Sequence, residues 1–328
     1  MKGFTLVLAA TFLSPSASVG RAESGTHTLT AQNHQDRDDD DREGPAARTH
    51  TLTCGHEKTI AQAIKTLRPG DTLLVRGTCN EHLIVGEEFH RITLDGQGRA
   101  AINADSSANA VTVNGNGITI RGFIITGGNP QAIAVQDGGT AVIDGNTIQS
   151  AARNGIAVFR GSSANIINNT IQNNGLAGIA IQQTSTARIG WSGPPDHRVS
   201  APNTIQNNGA QGVQVYRGSS AQIFSNTVQN NVSHGVFVDR NSQAEIAACL
   251  ITGNGGDGIR GTRSAGVDTG TDATGATPQF DDDTNTGSNL GFGVRCAIGG
   301  FVDGRLGTLS GVLGSSSFAE SCVNSLVP

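Results

Sequence analysis

The 328-residue chain is short of aromatics, with eleven Phe but only one Trp, one Tyr and one Met, and just 15% of it is charged. Those shortages exclude a conventional core of large side chains, and also the disorder of a strongly charged chain. No apolar run beyond residue 30 approaches the ~20 residues that cross a bilayer as a helix, so no membrane span is expected. The 45 Gly follow no triplet period, which excludes a collagen-like fibre. No Cys-x-x-Cys or Cys/His spacing suggests zinc, and no cofactor is called for.

What is present begins with an export signal. Lys2, the apolar stretch Phe4–Leu13 and the small residues ending Gly20-Arg21-Ala22 make residues 1–22 a signal peptide. The mature chain is therefore expected to be secreted, either extracellular or periplasmic. Residues 23–50 carry seven acids against three arginines and read as a disordered acidic linker. Residues 51–328 hold 17 basic and 20 acidic side chains, a near-balance that argues against nucleic-acid binding. Five cysteines in an exported chain predict disulfides. Cys54 and Cys79 bracket one helix-plus-strand unit, Cys296 and Cys322 bracket the C-terminal segment, and these are the expected pairs. Cys249 then falls in a ladder position as a buried free thiol.

Self-comparison decides the fold. Asn146-Thr-Ile-Gln, Asn169-Thr-Ile-Gln, Asn203-Thr-Ile-Gln and Asn226-Thr-Val-Gln recur, and Cys249-Leu-Ile-Thr takes the next place, at intervals of 23, 34, 23 and 23 residues. The surplus of 11 sits in the loop around Gly190–Pro202, which holds the Trp. Gly155-Ile-Ala-Val, Gly178-Ile-Ala-Ile, Gly212-Val-Gln-Val and Gly235-Val-Phe-Val ride in phase, as do Ala164-Asn-Ile-Ile, Ala221-Gln-Ile-Phe and Ala244-Glu-Ile-Ala. Each unit therefore holds three short alternating strands, too short to bury a face alone. Stacked as rungs about 4.8 Å apart, they pair with their copies and enclose the Ile/Val columns. The prediction is an all-β parallel β-helix, a solenoid of ~23-residue rungs. The Asn that opens each unit reads as a structural amide ladder.

An open solenoid end is a sheet edge that needs a cover. Helical spacing assigns residues 58–67 to an N-terminal capping helix, with Leu73–Val75 as the first strand and rungs to about residue 263. Residues 264–290 form a Gly/Thr/Asp-rich excursion, and residues 291–328 a C-terminal cap.

The string TIAQAIKTLRPGDTLLVRGTC, followed by LIV, ITLDGQG and the NTIQNN/GI repeats, resembles secreted parallel β-helix proteins of the pectin-lyase-like superfamily, over roughly residues 54–263. The resemblance implies a right-handed solenoid. It leaves function open, because that superfamily includes polysaccharide lyases, hydrolases, uronate epimerases, a nitrous-oxide-reductase accessory family and non-catalytic surface proteins.

Function in such a solenoid is expected on its outer face. Alternation along the strands after each phased Gly sends Ala134, Ala157, Ala180, Gln214, Phe237 and Arg260 outward in one column. Gln136, Phe159, Gln182, Tyr216, Asp239 and Thr262 form a second, and Asp137, Arg160, Gln183, Arg217, Arg240 and Arg263 a third, at the turn. Guanidinium groups suit the repeating carboxylates of an acidic polysaccharide, and Phe159 and Tyr216 suit sugar stacking. Phe159, Arg160, Gln182, Gln214, Phe237, Arg260 and Arg263 are the candidate substrate-binding residues. Hydrolysis needs two carboxyl groups about 5–9.5 Å apart, whereas Asp137 and Asp239 lie four rungs, or about 19 Å, apart. β-Elimination or epimerisation of a uronate needs a base and a carboxylate clamp instead. Tyr216 or an arginine is the candidate base, Arg217 and Arg240 the clamp, and Asp239 their orienter, with His234 a poorer base. The superfamily's lyases and epimerases carry a dense Asp cluster for calcium or an Asp-Pro-His element in this strand. Here Val236-Phe-Val-Asp-Arg-Asn has neither. The candidate calcium loop is Asp281-Asp-Asp-Thr-Asn-Thr-Gly, whose Gly is one place late and which no closing Glu follows, while the Asp38–Asp41 run with His27, His34 and His50 is a weaker cation candidate that reads as solvated linker.

The expectation is a monomeric, exported polysaccharide-binding solenoid that processes its ligand as a lyase or epimerase if it is an enzyme at all. A structural or adhesive surface protein is the alternative. A periplasmic metalloenzyme accessory protein is a second, disfavoured because no His/Met/Cys cluster lines the rungs.

Overall fold

The computed structural model describes residues 46–55, 58–194, 197–270 and 284–327. The expected signal peptide, most of the acidic linker and the Asp281–Asp283 run lie outside the described residues.

The described chain is a parallel β-solenoid of about 11 turns, set about 23 residues apart. Thr147 pairs with Thr170, Thr170 with Thr204 and Thr204 with Thr227, so the ladder runs through the 34-residue interval without slipping. One rung shows how the sequence makes the shape. Thr140–Asp144, Thr147–Gln149 and Ile156–Val158 are its strands. Its corners lie in the left-handed region, single at Gly145 (φ 63°) and Ser150 (φ 59°) and double at Arg160 (φ 57°) and Gly161 (φ 72°). Each such residue turns extended chain sharply without breaking the pairing above and below.

Alternation then sorts the side chains. Ile148, Ile171, Ile205, Val228 and Ile251 form one inner column and Ile156, Ile179, Val213, Val236 and Ile259 another, all fully buried. Burying each aliphatic side chain contributes roughly 1.5–3 kcal/mol, repeated at every rung. The interior is narrow enough that Ile, Val and Ala fill it.

The Asn ladder is structural, as read. The Asn146 backbone N–H and side-chain amide both donate to Asn169 Oδ1, at 2.9 and 3.1 Å, and the amide also donates to the Ile120 carbonyl at 2.9 Å. Cys249 interrupts the column as a free, buried thiol that donates to the Ile223 and Ala247 carbonyls at 3.3 Å. Burial pushes its pKa up to about 12, so it is inert. The insertion forms a small antiparallel hairpin, Trp191–Ser192 with Val199–Ser200, and packs Trp191 against Phe224.

The ends depart from expectation. The first strand is β1 (Thr49–Thr53), which pairs in parallel with β2 (Thr72–Arg76). The solenoid thus begins within the last residues assigned to the linker, and Leu73–Val75 belongs to the second strand. The helix expected over 58–67 shrinks to α1 (Ile60–Ala63) and a 3-10 turn, Ile64–Thr66. Thr59 and Gln62 form its capping box, and the Glu81 carboxylate accepts the Ile60 and Ala61 N–H groups at 2.8 and 3.1 Å. Leu67 is already extended, one residue ahead of the Arg68-Pro69 step, where proline excludes helix. Ile60 and Ile64 are buried and cover the end of the core.

At the other end the rungs do not stop at residue 263. Gly266–Asp268 and Thr286–Asn289 lie inside the expected excursion, and five more strands from Phe292 to Val327 occupy the expected cap. All stack in parallel on the preceding rung. Val267 and Val302 continue the Ala244 column and Val294 the Ile259 column, although the Asn-Thr-Ile-Gln spelling has gone. Both disulfides form, Cys54–Cys79 with Cα atoms 5.1 Å apart and Cys296–Cys322 with 6.2 Å.

Candidate functional site

The strands after each phased Gly make one ten-stranded sheet, and its outer columns run in the predicted register. Gln182 pairs with Tyr216, Tyr216 with Asp239 and Asp239 with Thr262, while Gln214, Phe237, Arg260 and Arg295 follow one another in the neighbouring column. The third column is the corner column. Asp137, Arg160, Gln183, Arg217, Arg240 and Arg263 all sit in the left-handed region, with φ between 51° and 60°.

Side-chain pairing changes the electrostatic reading of that column. Arg160 Nη1 lies 3.1 Å from Asp137 Oδ1. Arg263 Nε donates to Asp239 Oδ1 at 2.7 Å, and Arg240 Nε lies 3.4 Å from Asp239 Oδ2. Asp239 itself is buried. Three of the four arginines therefore have a carboxylate in hand. Arg217 has none among the described residues, and its guanidinium lies 5.3 Å from the centre of the Tyr216 ring.

The aromatic platform is less open than expected. Arg160 covers the Phe159 ring at 5.2 Å, so each aromatic is capped by the arginine that follows it. Gln182 stands between Phe159 and Tyr216 and accepts the Tyr216 hydroxyl proton in a hydrogen bond. Burial raises the Tyr216 pKa against the opposing pull of Arg217, Arg153 and Arg240, which is the wrong direction for a base. The small end of the first column is no open floor either. Ala134, Ala157 and Ala180 are buried.

Next to the predicted residues the structure brings together a group that sequence reasoning did not assemble. His234 stacks on Phe237 with ring centres 5.5 Å apart. Its Nδ1 accepts the Asp257 backbone N–H at 2.9 Å, and its Nε2 lies 3.3 Å from Arg260 Nη1. Arg260 Nη1 is 3.7 Å from Asp257 Oδ2. Burial lowers the His234 pKa to about 4, helped by Arg260 and Arg295 and opposed by Asp257. The ring is therefore neutral near pH 7. The Asp257 carboxylate is buried, with Oδ1 accepting the Phe292 N–H at 2.9 Å. Of this group, Arg260 and Phe237 were candidate binding residues in the sequence and His234 a poorer candidate base. The signal for the rest was the position just before each phased Gly, which reads His234, Asp257 and Phe292 on successive rungs.

A groove of about 640 Å³ runs along a different face, floored by Thr140, Ser163, Thr186, Ser220 and Gln243. At its far end Glu245, Asp268 and Asp303 stack on successive rungs. Burial and the neighbouring Asp268 raise the Asp303 pKa. The sequence reading followed only the strand after the Gly and missed this row. Of metal-ligand groups, the described residues bring together Cys54, Cys79 and Glu81, but the two sulfurs are joined in the disulfide. No helix among the described residues is long and apolar enough to cross a membrane.

These features define a right-handed parallel β-helix with a cationic, partly self-paired outer face. The chain belongs to the family described as the right handed beta helix region, whose model matches residues 70–190 and 201–272. No curated protein matches it in sequence. Among solved structures it is similar to pectate lyase Pel9A, at 13% identity and a TM-score of 0.53 over 85% of this chain and 80% of that one. A mutant of the periplasmic alginate epimerase AlgG gives 13% identity and a TM-score of 0.46, over 85% and 84%. The Azotobacter vinelandii mannuronan C-5 epimerase AlgE4 A-module gives 13% and 0.40, over 85% and 84%. At these identities the likeness is one of fold.

Proposed function

We propose that this chain is an exported, monomeric protein that binds an extended anionic polysaccharide along the outer face of the ten-stranded sheet. The observation that carries the reading is Arg217, a guanidinium without a carboxylate partner among the described residues, set in a column with Arg240 and Arg263 on consecutive rungs. The rung spacing of about 4.8 Å presents the arginines as a row along the solenoid axis, where an extended acidic chain meets one after another. Phe159, Arg160, Gln182, Gln214, Phe237, Arg260 and Arg263 would line its path. Two disulfides suit an oxidising compartment. The similar Pel9A fold is, by its name, that of a protein acting on pectate, an acidic polysaccharide.

Processing by β-elimination or epimerisation would begin with loss of the uronate C5 proton. In that reading Tyr216 or an arginine would take it, with Arg217 and Arg240 holding the carboxylate and Asp239 orienting them. A protonated, hydrogen-bonded Tyr216 makes binding the better-supported step. The calcium reading of Asp281–Asp283 remains a proposal for the excursion.

The test is electrophoresis of the purified protein through gels containing polygalacturonate, alginate or a neutral glucan, with ultraviolet absorbance of each mixture followed for unsaturated product. Retention by the polyuronates alone, relieved by salt, is the expected result. Equal mobility in all gels overturns the reading. The arginines already paired with Asp137 and Asp239 favour the second reading, a structural surface protein, which that result would leave in front.

A further inference from the structure

The cluster around His234 has an imbalance of donors over acceptors. The Asp257 N–H donates to His234 Nδ1, so that nitrogen carries no proton. A neutral imidazole must then carry its proton on Nε2. That N–H faces Arg260 Nη1, which is also a donor, across 3.3 Å. Arg260 Nε is buried without a hydrogen-bond acceptor. Arg295 follows Arg260 in register on the next rung, lies 5.6 Å from the centre of the Phe292 ring and has no carboxylate partner among the described residues. The one nearby carboxylate, Asp257, spends Oδ1 on the Phe292 N–H, while Oδ2 makes no hydrogen bond and lies 3.5 Å from His234 Nδ1 and 3.7 Å from Arg260 Nη1. Two guanidinium groups against one carboxylate leave the cluster with one net positive charge.

Donors converge on one point here, and unmade hydrogen bonds of buried groups are costly. An oxygen between His234 Nε2 and Arg260 Nη1 would satisfy both, and a second oxygen of the same group would reach toward Arg295. The flanking Phe237, stacked on His234, offers an apolar face to a ring beside that anion. We propose that His234, Arg260 and Arg295 form an anion subsite that takes the carboxylate of an acidic sugar, with His234 as a neutral Nε2–H donor rather than a base. This deepens the polysaccharide-binding reading and rests on it. It also gives the face a polarity. The strand column passes from alanines through Gln214 and Phe237 to Arg260 and Arg295, so a carboxylate is selected at one end.

The test uses the full chain carrying 15N-histidine, observed by NMR through the His234 ring nitrogens. The free protein should show the Nε2–H tautomer, and an Nδ1–H tautomer overturns the donor assignment with no variant needed. Galacturonate should shift the His234 signals saturably, inorganic sulfate should do so more weakly, and galactose should leave them still. Arg295→Gln should weaken the galacturonate response by about tenfold, with Arg260→Gln as the second variant should the first misfold. No response to galacturonate, or equal responses to sulfate and galacturonate, overturns the carboxylate-sugar subsite. Retention in polyuronate gels together with an unmoved His234 sinks the subsite alone. A galacturonate response without polymer retention sinks the polysaccharide reading alone.

Discussion

Arg263 donates through Nε to Asp239 Oδ1 at 2.7 Å, and the same buried carboxylate holds Arg240 of the rung before at 3.4 Å. One acid thus orders two consecutive guanidinium groups and also cancels half their charge. Its removal separates those effects. Asp239→Asn should strengthen retention on polyuronate at low salt by a few-fold, equivalent to ~1 kcal/mol or less because both arginines are half exposed, and should steepen the salt dependence. Gel retention measured at two salt concentrations checks this. Weaker retention would mean that orientation matters more than charge.

Arg217 and Arg160 occupy equivalent corners but differ in partners. Arg160 is already paired with Asp137, whereas Arg217 has no carboxylate. Arg217→Gly should weaken polyuronate binding by about 1–2 kcal/mol, and Arg160→Gly by much less. Both should raise thermal stability slightly, because glycine relieves a left-handed corner that costs an L-residue roughly 1 kcal/mol. Denaturant midpoints alongside binding would show the opposed changes at Arg217. Equal losses of binding at the two sites would contradict this account.

Cys249 interrupts the amide ladder between Asn226 and Asn285. Its N–H donates to Asn285 Oδ1 at 3.1 Å, so the rung below is ready to receive an amide. Cys249→Asn should replace the weak sulfur acceptor for Asn226 with an amide oxygen and stabilise the fold by ~1 kcal/mol, read as a rise in the urea midpoint. A fall would show that the thiol's size, and not its chemistry, is what the site selects.

His234 sets a pH dependence. Its folded pKa of about 4 lies below the ordinary 6.5, so the unfolded chain takes up the proton first as pH drops. The stability it contributes is complete above pH 6.5 and is lost progressively toward pH 4, by on the order of 2 kcal/mol at pH 5. His82 works the other way. It bonds the Asn109 carbonyl at 2.9 Å and Asp105 at 2.8 Å, its pKa is raised, and its contribution fades as pH rises past that value. Urea midpoints at pH 7 and pH 5 should converge in His234→Gln. An unchanged gap would move the acid sensitivity elsewhere.

Much of this molecule is written in local, repeated chemistry. A strand of alternating Ile and polar residues followed by a left-handed corner specifies the same bend wherever it occurs, so rung length, inner columns, the Asn ladder and both cysteine pairs were legible without coordinates. The Gly190–Pro202 insertion was legible for the same reason, since the pattern resumes on its far side. The last rungs were not, because after Asn254 the repeat survives only as scattered positions, Asn285 and Asn289 in the amide ladders and Val267, Val294 and Val302 in the core, at irregular intervals. Charge behaved differently again. The column of Arg217, Arg240 and Arg263 was foreseen, but which guanidinium is spent on a carboxylate depends on side chains that reach across rungs. The His234 proton depends on one backbone N–H, that of Asp257, 23 residues away. The sequence by itself determined the scaffold, because backbone geometry repeats with the residues that dictate it. Only the tertiary structure decided where charge is left over, because the repeat brings these side chains onto neighbouring rungs and the distances between them settle which ones pair.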